Sequence, residues 1–480
     1  MKQPTKFYLL TDTHLVSKQS WVEGRPITMR ERGDQIALKL STEILDSFIE
    51  KILADDTVDT VLFTGDNVNS GDMASHADFR ARLETLTAKG KKVYVICATH
   101  DYCSPNGEDE CFQRGAVRYT ETGTEPTPFM YRRDLFDYYA DYGPKQALSV
   151  HKESGSYVVQ LGEGVRLCMI VDNGNGRSHC GLFEDGVAWL TNQICESKAA
   201  GDYFLVATHH PVIAPWEVYR HLVDYEMYGG YRELSKLLCE EGVRVIFTGH
   251  THVQNIRKYT DEEGRWFVDV STVAAVNAAG KMRRVTVDPD AGLCSIESVP
   301  LETITGVDTG EKSVWEYLYG INFTGRIEQA FPLVKTDFDR FLDETDGILP
   351  AEKLRRHKAL VKLALRFVAK RKLSFAAKFG KVWKTLTDTE KKEAKETSLL
   401  SVVFEICRHI YPGNAPFTPD TVAYKALHGG ALRLDRIVEK RKIEKVQKMI
   451  PPGSSLAAIA EDFLYNNRTG DDDPIVVDLK

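Results

Sequence analysis

Hydrophobic and polar positions follow two periods in the first 300 residues. Short runs rich in β-branched and aromatic residues predict strands, and segments with apolar residues three or four positions apart predict helices between them. This alternation is typical of an α/β domain. One helical face is formed by Ile36, Leu40, Ile44, Phe48 and Ile52. The predicted strands are residues 6–10, 59–63, 93–97, 157–161, 165–171, 203–207, 243–247, 266–270 and 284–287.

Two segments depart from this rhythm. Residues 102–156 carry turn formers beside a tyrosine-rich patch and predict a long insertion over the working face of the domain. Beyond about residue 305 the strand pattern fades, and Pro350 with Glu352 marks a predicted helix start. Leu360, Ala364 and Val368 predict the apolar face of a basic helix. We therefore expect an α/β domain over residues 1–305 and a mainly helical domain over 306–480.

Composition places the chain among globular proteins. Its 480 residues are 42% hydrophobic and 27% charged, which excludes a disordered, collagen-like or small disulfide-stapled protein. The nine cysteines form no CxxC pair, so reduced thiols are expected rather than a disulfide framework, and a pair between Cys103 and Cys111 is the disfavoured alternative. The sequence contains no secretory signal pattern and no apolar run long enough for a transmembrane segment. A cytoplasmic location is therefore expected.

The net charge of −7 conceals a segregation of charge. Residues 351–400 contain 15 Lys and Arg against 5 Asp and Glu, so the rest of the chain carries −17. The simplest partner for these basic helices is the acidic α/β domain or another subunit. Contact with a membrane surface or a nucleic acid is the less favoured alternative.

Histidine and aspartate side chains follow five of the predicted strands. In open α/β sheets ligands gather at the carboxyl ends of strands, so we expect these groups to converge. Such a mixture of imidazole and carboxylate suits divalent zinc, manganese or iron, and six strong ligands are too many for one tetrahedral ion. Two bridged ions can hold a hydroxide for in-line attack on phosphorus. The strand-end residues are Asp12, His14, Asp66, His100, Asp101, His209, His250 and His252.

The ordered series DxH, GD, HD, HH and GHxH resembles the calcineurin-like metallophosphoesterases, whose pattern is DxH, GD, GNH[DE], H and GHxH. Within that superfamily it is most similar to bacterial class III cyclic-nucleotide phosphodiesterases. The likeness covers about 300 residues and includes the stretches TGDNVNSGD, VYVICATHD, ATHHPV and FTGHTH. It implies a four-layer sandwich of two mixed sheets flanked by helices.

The resemblance also implies roles for individual residues. The first metal would be held by Asp12, His14 and His252, and the second by His209 and His250. Asp66 would bridge both metals. His100 would act near the leaving group as general acid or phosphate-stabilising cation, with Asp101 orienting its ring. Manganese, iron or zinc is expected, with magnesium as a further candidate.

One position departs from the family pattern. Thr99 stands where the family has the asparagine that ligates the second metal, so Thr99 is at best a weak ligand or a residue behind the ligands. His210 and Asn67 are candidate substrate contacts, although shaping the turn is the favoured role of His210.

The expected activity is hydrolysis of a small, cyclic nucleotide-like phosphodiester or a nucleotide-like phosphomonoester by a metal-bridging hydroxide. The alternatives are a nuclease, a protein phosphatase, or a catalytically weakened metal-binding interaction module.

Overall fold

The computed structural model describes residues 1–105, 115–173, 180–216, 219, 226–278, 280–447, 450, 453–465 and 474–480. Contacts within the chain divide it into two compact units. The first comprises Met1–Pro215, Tyr225–Leu318 and Asp471–Lys480, and the second comprises Trp216–Asp224 and Tyr319–Gly470. The sequence analysis divides the chain at residue 306 instead. Residues 306–318 group with the first unit, in which Val314 and Leu318 are buried.

Six strands of the first unit form one mixed sheet. They are β1 (Thr5–Leu10), β2 (Thr60–Thr64), β3 (Lys92–Ile96), β13 (Lys281–Asp288), β14 (Leu293–Pro300) and β15 (Ile475–Asp478). Their order is β15-β14-β13-β1-β2-β3. The pairs β1–β2 and β2–β3 are parallel, and the other pairs are antiparallel. The three parallel strands therefore end at one edge of the sheet.

Seven strands form the second sheet of this unit. They are β6 (Ser149–His151), β7 (Ser156–Gly162), β8 (Val165–Met169), β9 (Tyr203–Ala207), β10 (Val245–Thr248), β11 (Asn255–Thr260) and β12 (Trp266–Ser271). Their order is β11-β12-β10-β9-β8-β7-β6, with β8, β9, β10 and β12 mutually parallel. A short hairpin joins β4 (Val117–Tyr119) and β5 (Thr124–Pro126).

The two sheets face each other across a shared apolar core. Phe7 of β1 and Phe247 of β10 meet in this core with ring centroids 5.6 Å apart. Helices α2 (Ser41–Leu53), α3 (Met73–Ala88), α5 (Glu184–Ala200) and α6 (Tyr231–Glu240) cover the outer faces, and α1 (Arg25–Asp34) and α4 (Arg132–Tyr138) lie in the connections after β1 and β5. Phe63 of β2 packs on Phe79 of α3, whereas α5 and α6 pack on the second sheet. The predicted four-layer sandwich is confirmed.

The helix predicted from Ile36 to Ile52 begins later than expected. Ile36 lies in the connection after α1, and Leu40 ends a short 3₁₀ turn (Leu38–Leu40) before α2 begins at Ser41. Ile44, Phe48 and Ile52 are buried as predicted. The preceding helix, which the apolar spacing did not reveal, ends at a left-handed Gln35 and leaves too few residues for an earlier start of α2.

The tyrosine-rich patch of residues 102–156 belongs to the packed domain. Tyr139 is buried, and its hydroxyl lies 2.7 Å from Nδ1 of His76 in α3. The carbonyl of Tyr142 accepts a hydrogen bond from the backbone N–H of Val95 in β3. Residues 106–114, which include Cys111, lie outside the described residues. The eight cysteines that the structure describes are free.

The second unit is helical. Helix α7 (Val314–Ile321) begins in the first unit and leads to α8 (Phe323–Ala330), α9 (Leu333–Thr336), α10 (Phe338–Glu344), α11 (Ala351–Arg356), α12 (Lys358–Ala369), α13 (Leu373–Phe379), α14 (Asp388–Glu396), α15 (Leu399–Arg408), α16 (Val422–Arg441), α17 (Glu444–Gln447) and α18 (Leu456–Leu464). The predicted start at Pro350 is confirmed by α11. Among the described residues, no helix combines the length and the apolar content that crossing a membrane requires.

The predicted inner face of the basic helix is wrong. Leu360, Ala364 and Val368 of α12 are exposed, whereas Val361 and Leu365 pack against a core that includes Phe338 and Phe341. Helix α12 has apolar residues on two faces, so spacing alone did not determine which face packs inward.

Candidate metal centre

The strand-end residues converge in the first unit. Asp12 and His14 follow β1, Asp66 follows β2, and a 3₁₀ turn containing His100 follows β3. From the second sheet, β9 leads to His209, and β10 leads to His250 and His252. The parallel strands of both sheets deliver these side chains to one place, as the sequence analysis predicts.

The first of two triads consists of Asp12, His14 and His252. Nε2 of His14 lies 3.1 Å from Nε2 of His252, and Oδ1 of Asp12 lies 3.3 Å from Nε2 of His252 and 3.7 Å from Nε2 of His14. Two imidazole nitrogens and a carboxylate oxygen therefore face one point. Such spacings fit ligands that each lie about 2.1 Å from a single cation.

The second triad consists of Asp66, His209 and His250, whose ligand atoms lie within 4.8 Å of one another. Oδ2 of Asp66 is 3.1 Å from Nε2 of His209. Asp66 also forms a close group with His14 and His100, so its carboxylate stands between the two triads. The six residues predicted to hold two metals thus divide into two groups of three with Asp66 at their junction.

Hydrogen bonds around these groups leave the inward-facing atoms without partners. Nδ1 of His209 lies 3.0 Å from the carbonyl of Thr64, and Oδ2 of Asp12 accepts hydrogen bonds from Thr11 Oγ1 and His250 N. Oδ1 of Asp12 and Nε2 of His209 are buried without a hydrogen-bond partner. A buried polar atom without a hydrogen-bond partner destabilises the folded protein. Metal-ligating histidines bind the ion through one ring nitrogen and form a hydrogen bond through the other, as Nδ1 of His209 does with Thr64. The donor set therefore fits divalent cations.

Backbone strain is concentrated at the same residues. Eight non-glycine residues in the described part of the chain have a positive φ, and five are Asp12, His14, Asp66, His250 and His252, with φ between 40° and 65°. Each left-handed L-residue costs roughly 1–2 kcal/mol. Strained residues persist where the surrounding structure holds them and cluster at functional sites.

Two glycines permit close approach around the centre. Gly65 has a φ of 102°, and a Cβ there would lie 2.7 Å from Nδ1 of His209 and 2.7 Å from Cβ of Ala98. A Cβ on Gly249 would lie 2.5 Å from Oδ2 of Asp12. Gly65, which precedes Asp66, therefore leaves room for the His209 ring, and Gly249, which precedes His250, leaves room for the carboxylate of Asp12.

The carboxylates and imidazoles of the centre shift one another's pKa. Burial opposes charge on Asp12, but the facing His209, His14 and His252 hold the pKa of Asp12 well below its usual range. Burial likewise opposes charge on His209, whereas Asp66 and Asp12 raise the pKa of His209 to about 10. Burial opposes charge on Asp66 too, but His209 and His100 hold the pKa of Asp66 well below its usual range. Both aspartates are thus held ionised as the anionic ligands that cations require.

Asp101 does not orient the ring of His100 as predicted. Its buried carboxylate accepts hydrogen bonds from Ala98 N at 2.7 Å and Val68 N at 2.9 Å, which fixes the loops after β3 and β2. Nδ1 of His100 instead lies 2.8 Å from the carbonyl of Asn69. The backbone carbonyl takes the place expected for the carboxylate, because Asp101 is turned into the protein by the 3₁₀ turn that contains both residues.

The two candidate substrate contacts are buried. Asn67 is 1% exposed and donates from Nδ2 to the carbonyl of Ile96 and to Asp101. His210 is bound by its backbone N–H and by Nδ1 to Asp172. Both side chains therefore form hydrogen bonds within the loops around the site, and their contact with a substrate stays a prediction.

A comparison with protein-family profiles identifies the family to which this centre belongs. The sequence profile of the calcineurin-like phosphoesterases matches residues 5–254, which is more than half of the 480 residues. The chain belongs to the calcineurin-like phosphoesterase family. This calcineurin-like phosphoesterase is a hydrolase acting on phosphoester bonds, and its family implies a dinuclear divalent metal site. A comparison with curated protein sequences finds no match.

Solved structures related to this phosphoesterase are distant in sequence. A dimetal phosphatase from Danio rerio is 12% identical, with 64% of this chain and 100% of that chain covered and a TM-score of 0.44. A purple acid phosphatase from yellow lupin seeds is 13% identical, with 64% and 53% covered and a TM-score of 0.34. A predicted phosphoesterase from Streptococcus pneumoniae is 10% identical, with 64% and 97% covered and a TM-score of 0.24.

Two carboxylates at the phosphoesterase centre were not singled out from the sequence. Asp172 follows β8 and binds His210 and the hydroxyl of Thr208 at 2.7 Å, and its position after a predicted strand was an available signal. Oε2 of Glu226 lies 2.7 Å from Nε2 of His250. Glu226 follows a segment without a clear periodic pattern, so only the folded chain brings it to the centre.

Proposed function

We propose that this phosphoesterase hydrolyses a small phosphodiester, cyclic nucleotides first, or a nucleotide-like phosphomonoester. The two adjoining triads with Asp66 between them carry this proposal. Asp12, His14 and His252 would hold one cation, His209 and His250 the second, and Asp66 would contact both. Divalent cations at such a pair of sites activate water for attack on phosphorus and neutralise phosphoryl oxygens.

The surrounding residues prepare these groups for that task. Thr64 holds the His209 ring with Nε2 directed toward Asp66, and Thr11 holds Asp12 with Oδ1 facing the ring nitrogens of His14 and His252. Their orientation is set by hydrogen bonds before any substrate binds, which is how polar sites avoid reorganisation during a reaction.

His100 is proposed to act beside the leaving group. Its ring centroid lies 4.8 Å from that of His14, and its Nδ1 faces the Asn69 carbonyl, so Nε2 is the nitrogen directed away from that contact. A protonated imidazole there would stabilise a phosphoryl oxygen or protonate a leaving alkoxide. Thr99, directly before it, is buried and offers no carbonyl-bearing side chain, so we expect a weaker second metal site.

The metal-ligating residues do not determine which phosphoester is the substrate. Among the aromatic residues that follow His209 in the sequence, Trp216 and Tyr228 are buried and cannot offer an open stacking face, whereas Tyr231 is partly exposed. Tyr225 lies outside the described residues, as do Arg177 and His179, for which a solvated loop is the favoured prediction and contact with a phosphate the alternative.

A substrate panel tests the proposal. The manganese-loaded chain would be assayed on cyclic nucleotides, linear dinucleotides, nucleoside monophosphates, a phosphopeptide and single-stranded DNA. The proposal predicts the highest kcat/KM on a cyclic nucleotide or a nucleotide monoester. Preference for the phosphopeptide or for DNA would identify a protein phosphatase or a nuclease instead. Absence of hydrolysis on every substrate at full metal occupancy would favour a metal-binding interaction module.

A further inference from the structure

Helix α12 of the second unit carries more apolar surface than its own core uses. Val361 and Leu365 pack inward against a core that includes Phe338 and Phe341. On the other side, Leu360 and Leu363 are 68% and 66% exposed. Packing within the unit explains why Val361 and Leu365 are apolar, but it does not explain Leu360 and Leu363. Large exposed apolar patches usually mark an interaction site.

The exposed apolar residues form one connected patch, here named the outer stripe: Leu360, Leu363, Phe367 and Phe375. Leu360, Leu363 and Phe367 follow the three- and four-residue spacing of one helix face. Phe367 and Phe375 are 47% and 42% exposed, with ring centroids 6.1 Å apart. The guanidinium of Arg371 lies 3.7 Å from the centroid of Phe367 and 4.9 Å from that of Phe375. Arg371 therefore holds the two rings together at the surface.

Cations without acidic partners flank the outer stripe. Arg355 and Lys358 form ion pairs with Asp343 and Asp339 of α10. In the part of the chain that the structure describes, Arg356 and Lys370 form no such pair. Lys370 follows Phe367 by three positions and Arg371 follows it by four, so positive charge lies beside the exposed rings. The 15 Lys and Arg of residues 351–400 exceed the 5 acidic residues threefold.

We propose that the outer stripe binds the surface of an anionic lipid bilayer, with α12 lying in the plane of the interface. Exposed leucine and phenylalanine beside unpaired cations match the two components of such a surface, hydrocarbon and negative headgroups. Nucleic acid offers phosphates but nothing apolar for two leucines at two-thirds exposure. This inference is independent of the proposed substrate.

Vesicle cosedimentation of the full chain tests the proposal. Vesicles of phosphatidylglycerol mixed with phosphatidylcholine would be compared with vesicles of phosphatidylcholine alone. We expect sedimentation with the anionic vesicles only, and weaker binding as salt is raised, because salt screens the headgroup charge. Equal binding to both kinds of vesicle, or no binding to either, would overturn the proposal.

Single substitutions distinguish binding through the outer stripe from non-specific binding to vesicles. Leu363→Glu should lower binding at least about tenfold, because it removes an inserted apolar side chain and adds a repelled charge. Leu148→Glu is the matched control, since Leu148 is 54% exposed in the first unit, and it should bind as the unchanged chain does. Both variants should retain phosphoesterase turnover.

Light scattering tests the alternative that a second copy of the chain covers the outer stripe. If the unchanged chain self-associates and Leu363→Glu makes it monomeric without altering vesicle binding, a second copy covers the outer stripe and the membrane proposal is wrong. A chain whose oligomeric state is the same in both forms, while vesicle binding is lost, supports it.

Discussion

At the residue scale, the metal centre combines partnerless polar atoms with a strained backbone. The chemistry of its residues was predictable, because Asp and His recur after predicted strands and each belongs to a short motif. The hydrogen bonds that orient these residues were less predictable. Asp101 turned inward and Asn69 took its expected place beside His100, since the direction of a side chain in a tight turn depends on the loops it packs against.

The strain at His252 predicts an unusual order of stability. His252 has a φ of 58°, where glycine is unstrained and alanine is not. In metal-free protein, His252→Gly should therefore be more stable than His252→Ala by about 1 kcal/mol. Urea unfolding of both variants measures this. At Glu84, inside α3, the order should reverse, with Glu84→Ala the more stable. The same order at both positions would refute the strain at His252.

Glu226 is expected to orient His250. Its Oε2 lies 2.7 Å from Nε2, so Glu226→Ala should raise the manganese concentration needed for half-maximal activity about 10- to 100-fold. At saturating manganese, kcat should recover if the role is one of positioning. Glu233→Ala, which removes an exposed carboxylate from the following helix, is the control and should leave the manganese titration unchanged. An unchanged titration in Glu226→Ala as well would contradict the role.

A substitution at Thr99 is expected to increase the affinity for the second metal. Thr99→Asn restores a side chain with a carbonyl oxygen, and we expect it to raise affinity for the second metal because an amide oxygen is a better ligand than a hydroxyl. Metal stoichiometry at limiting manganese, measured after dialysis, should rise. Identical stoichiometry and activity in the variant and the unchanged chain would show that the position does not limit metal binding.

At the element scale, the core strands were well predicted and the edges were not. The parallel strands are buried on both faces and read as continuous apolar runs, as in β2 and β9. The edge strands β11 and β15, and β14 beside β15, carry polar residues at exposed positions and were missed. In α12 the error was of another kind, because two apolar faces satisfy the same helical spacing and only tertiary packing selects between them.

The turn between β2 and Asp66 depends on the absence of a side chain. Gly65→Ala would place a Cβ 2.7 Å from Nδ1 of His209, so we expect a fall in kcat/KM of about 100-fold from displacement of that ring. Gly201→Ala is the control, because Gly201 also has a positive φ, 72°, but has no atom within 4 Å of the added carbon. It should lose stability and keep its activity. Equal activity losses in both would assign the effect to general destabilisation.

At the scale of the whole molecule, charge and function are segregated. The acidic first unit carries every candidate metal ligand, and the excess of positive charge lies in the helical second unit. The sequence predicted this contrast directly, since charge is counted without knowledge of the fold. The sequence pattern did not predict that the final strand β15 joins the first sheet, because only long-range pairing with β14 places it there.

The most direct measurement is the metal content and phosphodiesterase activity of the same protein sample, before and after Asp66→Asn. We expect two manganese ions per chain and hydrolysis of bis(p-nitrophenyl) phosphate that is lost on chelation and restored by manganese. We also expect loss of that hydrolysis in a folded Asp66→Asn variant. Full turnover in Asp66→Asn, or hydrolysis that is unaffected by complete removal of metal, would contradict a dinuclear centre built on Asp66.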